Sequence, residues 1–199
     1  LLVNNIAAAK PDAVLEFGYA PNEIAFLRAL QDNETKFKFL FTTYGLTEFG
    51  LMQTNGVSEQ LAHTYALASP AVYEFKVTYG LNRDEFKEAF EHWIESQHVR
   101  GVEFGYNALA GYQAGLVIER ALAEAGSLDQ LELRRAVFTL SGTLQTLAGR
   151  FELAPDGSQN GLISPLAQII PGRAGSKDAV INVIWPPELA TAKPIYPAP

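Results

Sequence analysis

The spacing of hydrophobic positions changes along this chain, and the changes mark its elements. Leu1 to Ala9 is apolar at helical spacing, and Lys10-Pro11-Asp12 stops the helix because proline cannot continue the hydrogen-bond ladder. Ala13 to Phe17 is an apolar run of strand length, and Gly18-Tyr19-Ala20-Pro21 turns the chain. A helix is predicted from Pro21 to Gln31, with proline in its first turn and Glu23 near its positive end. Ile24, Leu27 and Leu30 form its buried stripe. Phe37 to Thr42 is the next strand, so Ala13 to Thr42 reads as strand, helix, strand with a right-handed crossover.

Beyond this unit, Thr47 to Thr54 is a short helix, and Leu61 to Ala68 is a third strand with His63 inside it. Asn82-Arg83-Asp84-Glu85 is a capping box that opens a helix running to Gln97, with Phe86, Phe90, Trp93 and Ile94 on one face. A second long helix covers Tyr106 to Ala125, and Gly126 closes it. Ser127-Leu128-Asp129-Gln130 reads as another capping box, opening a helix to Leu140. After Gly142 the pattern becomes extended, over Ala148 to Leu153 and Leu162 to Ile170, with Pro155-Asp156-Gly157 as a tight turn. Ala179 to Ile184 is the last strand. The tail from Trp185 carries five of the eleven prolines and is expected to be extended, and ordered by packing if at all. The fold class is α/β, with clear alternation early and irregular β structure late.

Composition bears on function more than on fold. The 199 residues suffice for one or two domains with a hydrophobic core, and 48% hydrophobic with 19% charged residues is ordinary globular composition. No run of 18 uninterrupted apolar residues occurs; Leu109 to Leu122 is broken by Gln113, Glu119 and Arg120. A net charge of -7 without a basic run argues against nucleic acid as a partner. The absence of cysteine excludes disulfides, a thiol nucleophile and a Cys-ligated zinc. Leu1 to Ile6 has no basic n-region and reads as the end of a helix, so the sequence is expected to lack the start of its natural chain.

The chemistry-bearing motifs are few. Gly-x-Ser-x-Gly, Gly-x-x-x-x-Gly-Lys, His-Glu-x-x-His and Gly-x-Gly-x-x-Gly are absent, and Gly172 to Gly175 lacks a strand-to-helix context. His92 and Glu95 share a helix face with His98 nearby, but zinc takes three or four protein ligands, and a solvated face is the better reading. Gly111 and Gly115 lie on one helix face that is too polar for a membrane dimer, so they are expected to pack closely against a sheet. No catalytic residue, metal ligand or cofactor is expected.

Four stretches carry a family resemblance. Lys10-Pro11-Asp12-Ala13-Val14-Leu15, Gly18-Tyr19 and Leu27-Arg28-Ala29-Leu30 resemble the second lobe of the branched-chain amino-acid binding proteins, which are type I periplasmic solute-binding proteins of ABC transporters. Gly111-Tyr112-Gln113-Ala114 followed by Ala121-Leu122-Ala123-Glu124-Ala125-Gly126-Ser127 is similar to that family's first-lobe helix. Gly149-Arg150-Phe151-Glu152-Leu153 with Asp156-Gly157 resembles its late hairpin, and Val183 to Thr191 resembles its ending. The resemblance implies two Rossmann-like lobes, present here as a C-terminal fragment. Residues 1–70 would belong to the second lobe and 71–145 to the first. Residues 146–199 would form a crossover hairpin, then the strand and tail that return to the second lobe. Crossings are expected near Pro70 to Tyr79 and Gly142 to Phe151.

Parallel sheets present ligands at the carboxyl ends of their strands, beside helix N-termini, which singles out the segments after Phe17 and after Thr42. The resemblance implies that the first of these offers an aromatic ring from the position of Tyr19 or Ala20. It implies a ligand contact at Tyr44, where amino-acid binders carry a glutamate for the solute's ammonium group. A neutral hydroxyl does not equal that charge-assisted contact, so either the solute lacks a free ammonium group or another carboxylate, Glu16 or Glu48, supplies the charge. Tyr106 and Asn107 begin the first-lobe helix, where the resemblance places a cleft contact; Asn107 can cap the helix instead. The function so implied is an extracytoplasmic solute-binding subunit, monomeric at full length, that docks on a membrane permease and catalyses nothing. A ligand-sensing receptor or regulator with the same fold is the alternative.

Overall fold

The computed structural model describes residues 2–68, 75–102, 104–161, 164–172 and 179–199. The chain runs through α1 (Leu2–Ala8), β1 (Val14–Leu15), α2 (Ala20–Asp32) and β2 (Leu40–Thr42). It continues with α3 (Phe49–Thr54), a 3-10 turn (Ser58–Leu61) and β3 (Tyr65–Leu67). Three longer helices follow, α4 (Arg83–Ser96), α5 (Tyr106–Ala125) and α6 (Gln130–Leu140), then a hairpin of β4 (Leu144–Thr146) and β5 (Gly149–Phe151). β6 (Leu166–Pro171), β7 (Ala179–Trp185) and a 3-10 turn (Pro187–Leu189) complete the described elements. The chain divides into two compact units, Leu1–Ser69 with Ser164–Pro199, and Pro70–Ile163.

The first unit is built on a five-stranded sheet in the order β1-β2-β3-β6-β7. β1, β2 and β3 are parallel, with Val14 opposite Leu40 and Phe41 opposite Tyr65. β6 pairs antiparallel with β3 and with β7. Parallel neighbours need a crossover, and α2 supplies it between β1 and β2, as the sequence predicts. The core gathers Leu27 and Leu30 of α2, Met52 of α3, Leu61, Leu40 of β2, Ala66 of β3 and Ile169 of β6. The proline-rich tail is held by hydrogen bonds as well as by packing. The buried Gln168 amide bonds Ile195 through both its nitrogen and its oxygen, and the Ala198 N–H donates to the Lys38 carbonyl at 2.9 Å.

The second unit packs α5 against α6 through Ala121, Ala136 and Leu140, closed by Leu144 and Phe151 of the hairpin. A second cluster joins Leu109, Leu147 and Ala148 with Phe86, Phe104 and Tyr112. α4 opens on the expected capping box: Asn82 accepts the Glu85 N–H and Glu85 accepts the Asn82 N–H, each at 2.9 Å. α4 lies on the unit chiefly through its rings, with Phe86 stacked on Tyr112 at 4.3 Å.

Several expectations are corrected. The strands are shorter than the apolar runs that announce them, since only Val14–Leu15 and Leu40–Thr42 pair within Ala13 to Phe17 and Phe37 to Thr42. His63 lies outside β3, in a left-handed turn with φ 61°. The cap of α6 is Asp129, whose carboxylate accepts the Leu131 and Glu132 N–H groups, while Ser127 accepts only from Asp129. Trp93 is half exposed and no residue of α4 is fully buried. Gly111 and Gly115 face open space, because the buried side of α5 is that of Leu109, Leu116 and Ala121. The β4–β5 hairpin packs on α5 and α6, where Leu144 and Phe151 complete their core. Leu162 and Ile163 of the predicted extended segment, residues 70–74 of the first crossing and residues 173–175 of the glycine segment lie outside the described residues.

Candidate functional site

Two parallel strands end side by side in the first unit, and the chain leaves each in a short polar and aromatic turn. After β1 come Glu16, Phe17, Gly18 and Tyr19; after β2 come Thr43, Tyr44 and Gly45. The strand ladder continues one bond into the turns, where the Glu16 N–H donates to the Phe41 carbonyl at 2.9 Å. The Thr43 hydroxyl returns a bond to the Glu16 carbonyl at 3.0 Å. The rings follow the same pairing. Phe17 and Phe41 lie 5.6 Å apart between centroids, and Tyr19 and Tyr44 lie 6.2 Å apart.

The expected contacts of the first unit fall together. Tyr19 is the N-cap of α2, with extended backbone, and the residue is 74% exposed. Ala20 is the first residue of α2, half-buried against the core. Tyr44 is also half-buried against the core, and its carbonyl accepts the Glu48 N–H at 2.9 Å ahead of α3. In the second unit, Tyr106 and Asn107 are the exposed first two residues of α5. Gly105 is the N-cap there and makes no side-chain cap bond, so Asn107 does not cap the helix.

Beneath the tyrosine pair lies a residue that sequence reasoning assigned only to the helix dipole. Glu23, in the first turn of α2, is 0% exposed. Its Oε2 accepts the Tyr44 main-chain N–H at 2.8 Å. Its Oε1, the Thr42 hydroxyl and Oε2 of Glu16 are buried without hydrogen-bond partners. Glu16 and Thr42 are close enough to act on Glu23 electrostatically, although neither makes a well-formed hydrogen bond with it. Burial pushes the Glu23 carboxyl from 4.5 up to about 7; the Tyr44 N–H opposes this, and the Glu16 charge adds to it. Desolvation therefore outweighs the helix N-terminus, which favours the ionised form by only about 0.3–1 kcal/mol. A signal for this burial was present, because Glu23 shares a helix face with Leu27 and Leu30 at helical spacing.

Other groups show less convergence. His92, Glu95 and His98 are exposed on or just after α4. A depression of about 570 Å³ in the second unit is lined by Val77, Gly80, Asn82 and Glu85 among others, but Asn82 and Glu85 are already committed to each other in the capping box.

No protein family and no curated protein matches the chain. Solved structures do. A leucine-binding protein from Thermotoga maritima is 16% identical with a TM-score of 0.61, and the match covers 94% of this chain and 48% of that one. A solute-binding protein of an ABC transporter from R. palustris, in complex with benzoate, is 15% identical with a TM-score of 0.62, covering 92% and 45%. An ABC transporter substrate-binding protein from Sphaerobacter thermophilus is 22% identical with a TM-score of 0.62, covering 92% and 47%. The chain has the α/β fold of the type I periplasmic solute-binding proteins and spans about half the length of the structures it matches.

Proposed function

We propose that this chain, with its type I solute-binding fold, is part of the solute-binding subunit of an ABC-type uptake system. It supplies one wall of a site for a small polar or aromatic solute, an amino acid or a related molecule. Tyr19, Ala20 and Tyr44 form that wall; Tyr106 and Asn107, at the start of α5, are candidate contacts considered within the second unit alone. The single observation that carries this reading is the pairing of Tyr19 and Tyr44 at the carboxyl ends of adjacent parallel strands. Open parallel sheets receive ligands at that edge, and aromatic rings with polar tips suit such sites. Further support comes from solved structures of this fold described as a leucine-binding protein and as a benzoate complex. The same reading places the protein outside the cytoplasm, gives it a membrane permease as partner, and assigns it no bond-making chemistry.

The test is a thermal-shift screen of the intact protein against amino acids and aromatic carboxylates, followed by calorimetry on the best solute. One solute class should raise the melting temperature, with stabilisation of about 2.7 kcal/mol at a hundredfold excess over its Kd. Tight binding that is indifferent to loss of both tyrosine rings would remove Tyr19 and Tyr44 from the site. Steady turnover of a small substrate would replace binding with catalysis.

A further inference from the structure

Among the described residues, Glu23 is the only fully buried carboxylate, and it lies between the two turns that carry the tyrosine pair. From the turn after β1 it faces the Glu16 carboxylate; from β2 it faces the Thr42 hydroxyl; from the turn after β2 it faces the Tyr44 N–H. Glu16 is the charged group acting on it. Both carboxylates carry a buried oxygen without a partner.

We propose that Glu23, holding a proton on its buried carboxyl beside Glu16, positions Tyr44 and so ties the Tyr44 turn to α2, the helix that Tyr19 opens. This rests on the reading of the tyrosine pair as a solute site. An ionised Glu23 would stand fully buried beside the Glu16 carboxylate, whereas the protonated carboxyl avoids that repulsion and keeps Oε2 as the acceptor of the Tyr44 N–H. Gly45 packs closely over this carboxyl, where an added methyl group would meet the Thr42 hydroxyl and would stand 2.8 Å from Leu61 and 3.0 Å from Glu23 Oε1. Geometry and electrostatics agree, since burial first and Glu16 next hold Glu23 protonated to about pH 7. Above that pH the proton leaves to solvent, the two charges oppose each other across the turns, and Tyr44 loses its fixed place.

The experiment uses the intact protein labelled with ¹⁵N-tyrosine, which leaves eight tyrosine amides to follow in this chain. The Tyr44 amide shift should titrate with a midpoint near neutrality. Glu23→Gln, which keeps the acceptor for that amide, should abolish the titration, and Glu16→Gln should move its midpoint to lower pH. A Tyr44 amide that stays flat from pH 5.5 to 8.5 in the wild type overturns the proposal, as does a midpoint unchanged by Glu16→Gln. These readouts need no solute, so they stand or fall apart from the solute-site reading. Once a solute is known from the screen, its affinity should fall roughly fivefold between pH 7 and pH 8 in the wild type and stay level in Glu23→Gln. Equal pH dependence in the two proteins overturns the link between proton and site.

Discussion

The rings of Tyr19 and Tyr44 come within 6.2 Å of each other at a tilt of 33°, yet the two side chains are held very differently. Tyr19 is mostly exposed, and Tyr44 rests on the core with its main chain fixed by Glu23. Substitution should therefore separate binding from stability. Tyr19→Ala is expected to leave the urea midpoint nearly unchanged, since exposed substitutions stay within about 0.5 kcal/mol. It should weaken solute binding roughly tenfold, the scale of one lost aromatic contact. Tyr44→Ala should lower both stability and affinity, whereas Tyr44→Phe keeps the ring and the N–H and should retain most of each. Calorimetry beside urea unfolding checks this, and the assignment fails if Tyr19→Ala binds like the wild type.

The Glu23 carboxyl gives stability a pH dependence of unusual sign. Its ordinary value is 4.5 and its folded value is about 7, so between those limits the folded chain holds a proton that the unfolded chain has released. Stability contributed by this group is complete below pH 4.5 and falls as pH rises to about 7, then levels. After allowance for solvent screening, the loss is on the order of 2 kcal/mol. Glu23→Gln should remove this decline, so that the variant gains on the wild type from pH 5 to pH 8. Urea unfolding at a series of pH values measures it; parallel curves for the two proteins would show that Glu23 is not buried in its protonated form.

These residues also show what the sequence could and could not convey. The extent of α5 follows from apolar spacing and a C-terminal glycine with φ 58°, both local features, and Tyr106–Ala125 is found as predicted. The parallel β1–α2–β2 unit is likewise local in origin. Strand length is not, because pairing depends on the neighbouring strand, and an aromatic run such as Phe37 to Phe41 favours extended structure whether or not it pairs. The segments that carry Tyr19 and Tyr44 were legible because a strand end can be located from the turn after it, whereas the choice of these two residues as contacts came from the family resemblance. Glu23 was missed because an acidic residue in a first helical turn has a sufficient surface explanation. Its place on the helix face of Leu27 and Leu30 pointed toward burial, and the tertiary approach of Glu16, Thr42 and Gly45 completes it.

Glycine substitutions should divide by environment. Gly45 is buried, and a methyl group there meets Thr42, Leu61 and Glu23 at once. Gly45→Ala is expected to cost about 1–3 kcal/mol, as overpacking does. Gly111 and Gly115 stand inside α5 with nothing within 4 Å of an added methyl group. Gly111→Ala or Gly115→Ala should therefore stabilise the protein by roughly 0.5–1 kcal/mol, the difference in helix propensity. Thermal unfolding of the three variants decides it. A destabilising Gly111→Ala would mean that something covers this face of α5.

The tail is expected to depend on one buried amide. Gln168 of β6 is 0% exposed. Its Nε2 donates to the His63 carbonyl at 3.0 Å and to the Ile195 carbonyl at 2.9 Å, and its Oε1 accepts the Ile195 N–H at 2.8 Å. The Tyr65 hydroxyl adds a bond to the same Ile195 carbonyl at 3.2 Å. Gln168→Leu preserves volume but strips three bonds, and it leaves main-chain groups beside β3 without their partner. Unsatisfied buried groups cost about 1–3 kcal/mol each, and partial exposure of the tail lets water recover some of this, so a loss of about 2–4 kcal/mol is expected. Tyr65→Phe removes only the weaker bond and should cost about 1 kcal/mol or less. Because the tail's second tether, from Ala198 to Lys38, lies beyond Ile195, losing the amide should loosen the chain from Ala192 onward before the sheet itself opens. Hydrogen exchange at the Ala198 amide, which bonds the Lys38 carbonyl, should then run faster in Gln168→Leu than in the wild type. Equal exchange rates would show that packing, not the glutamine, holds the tail.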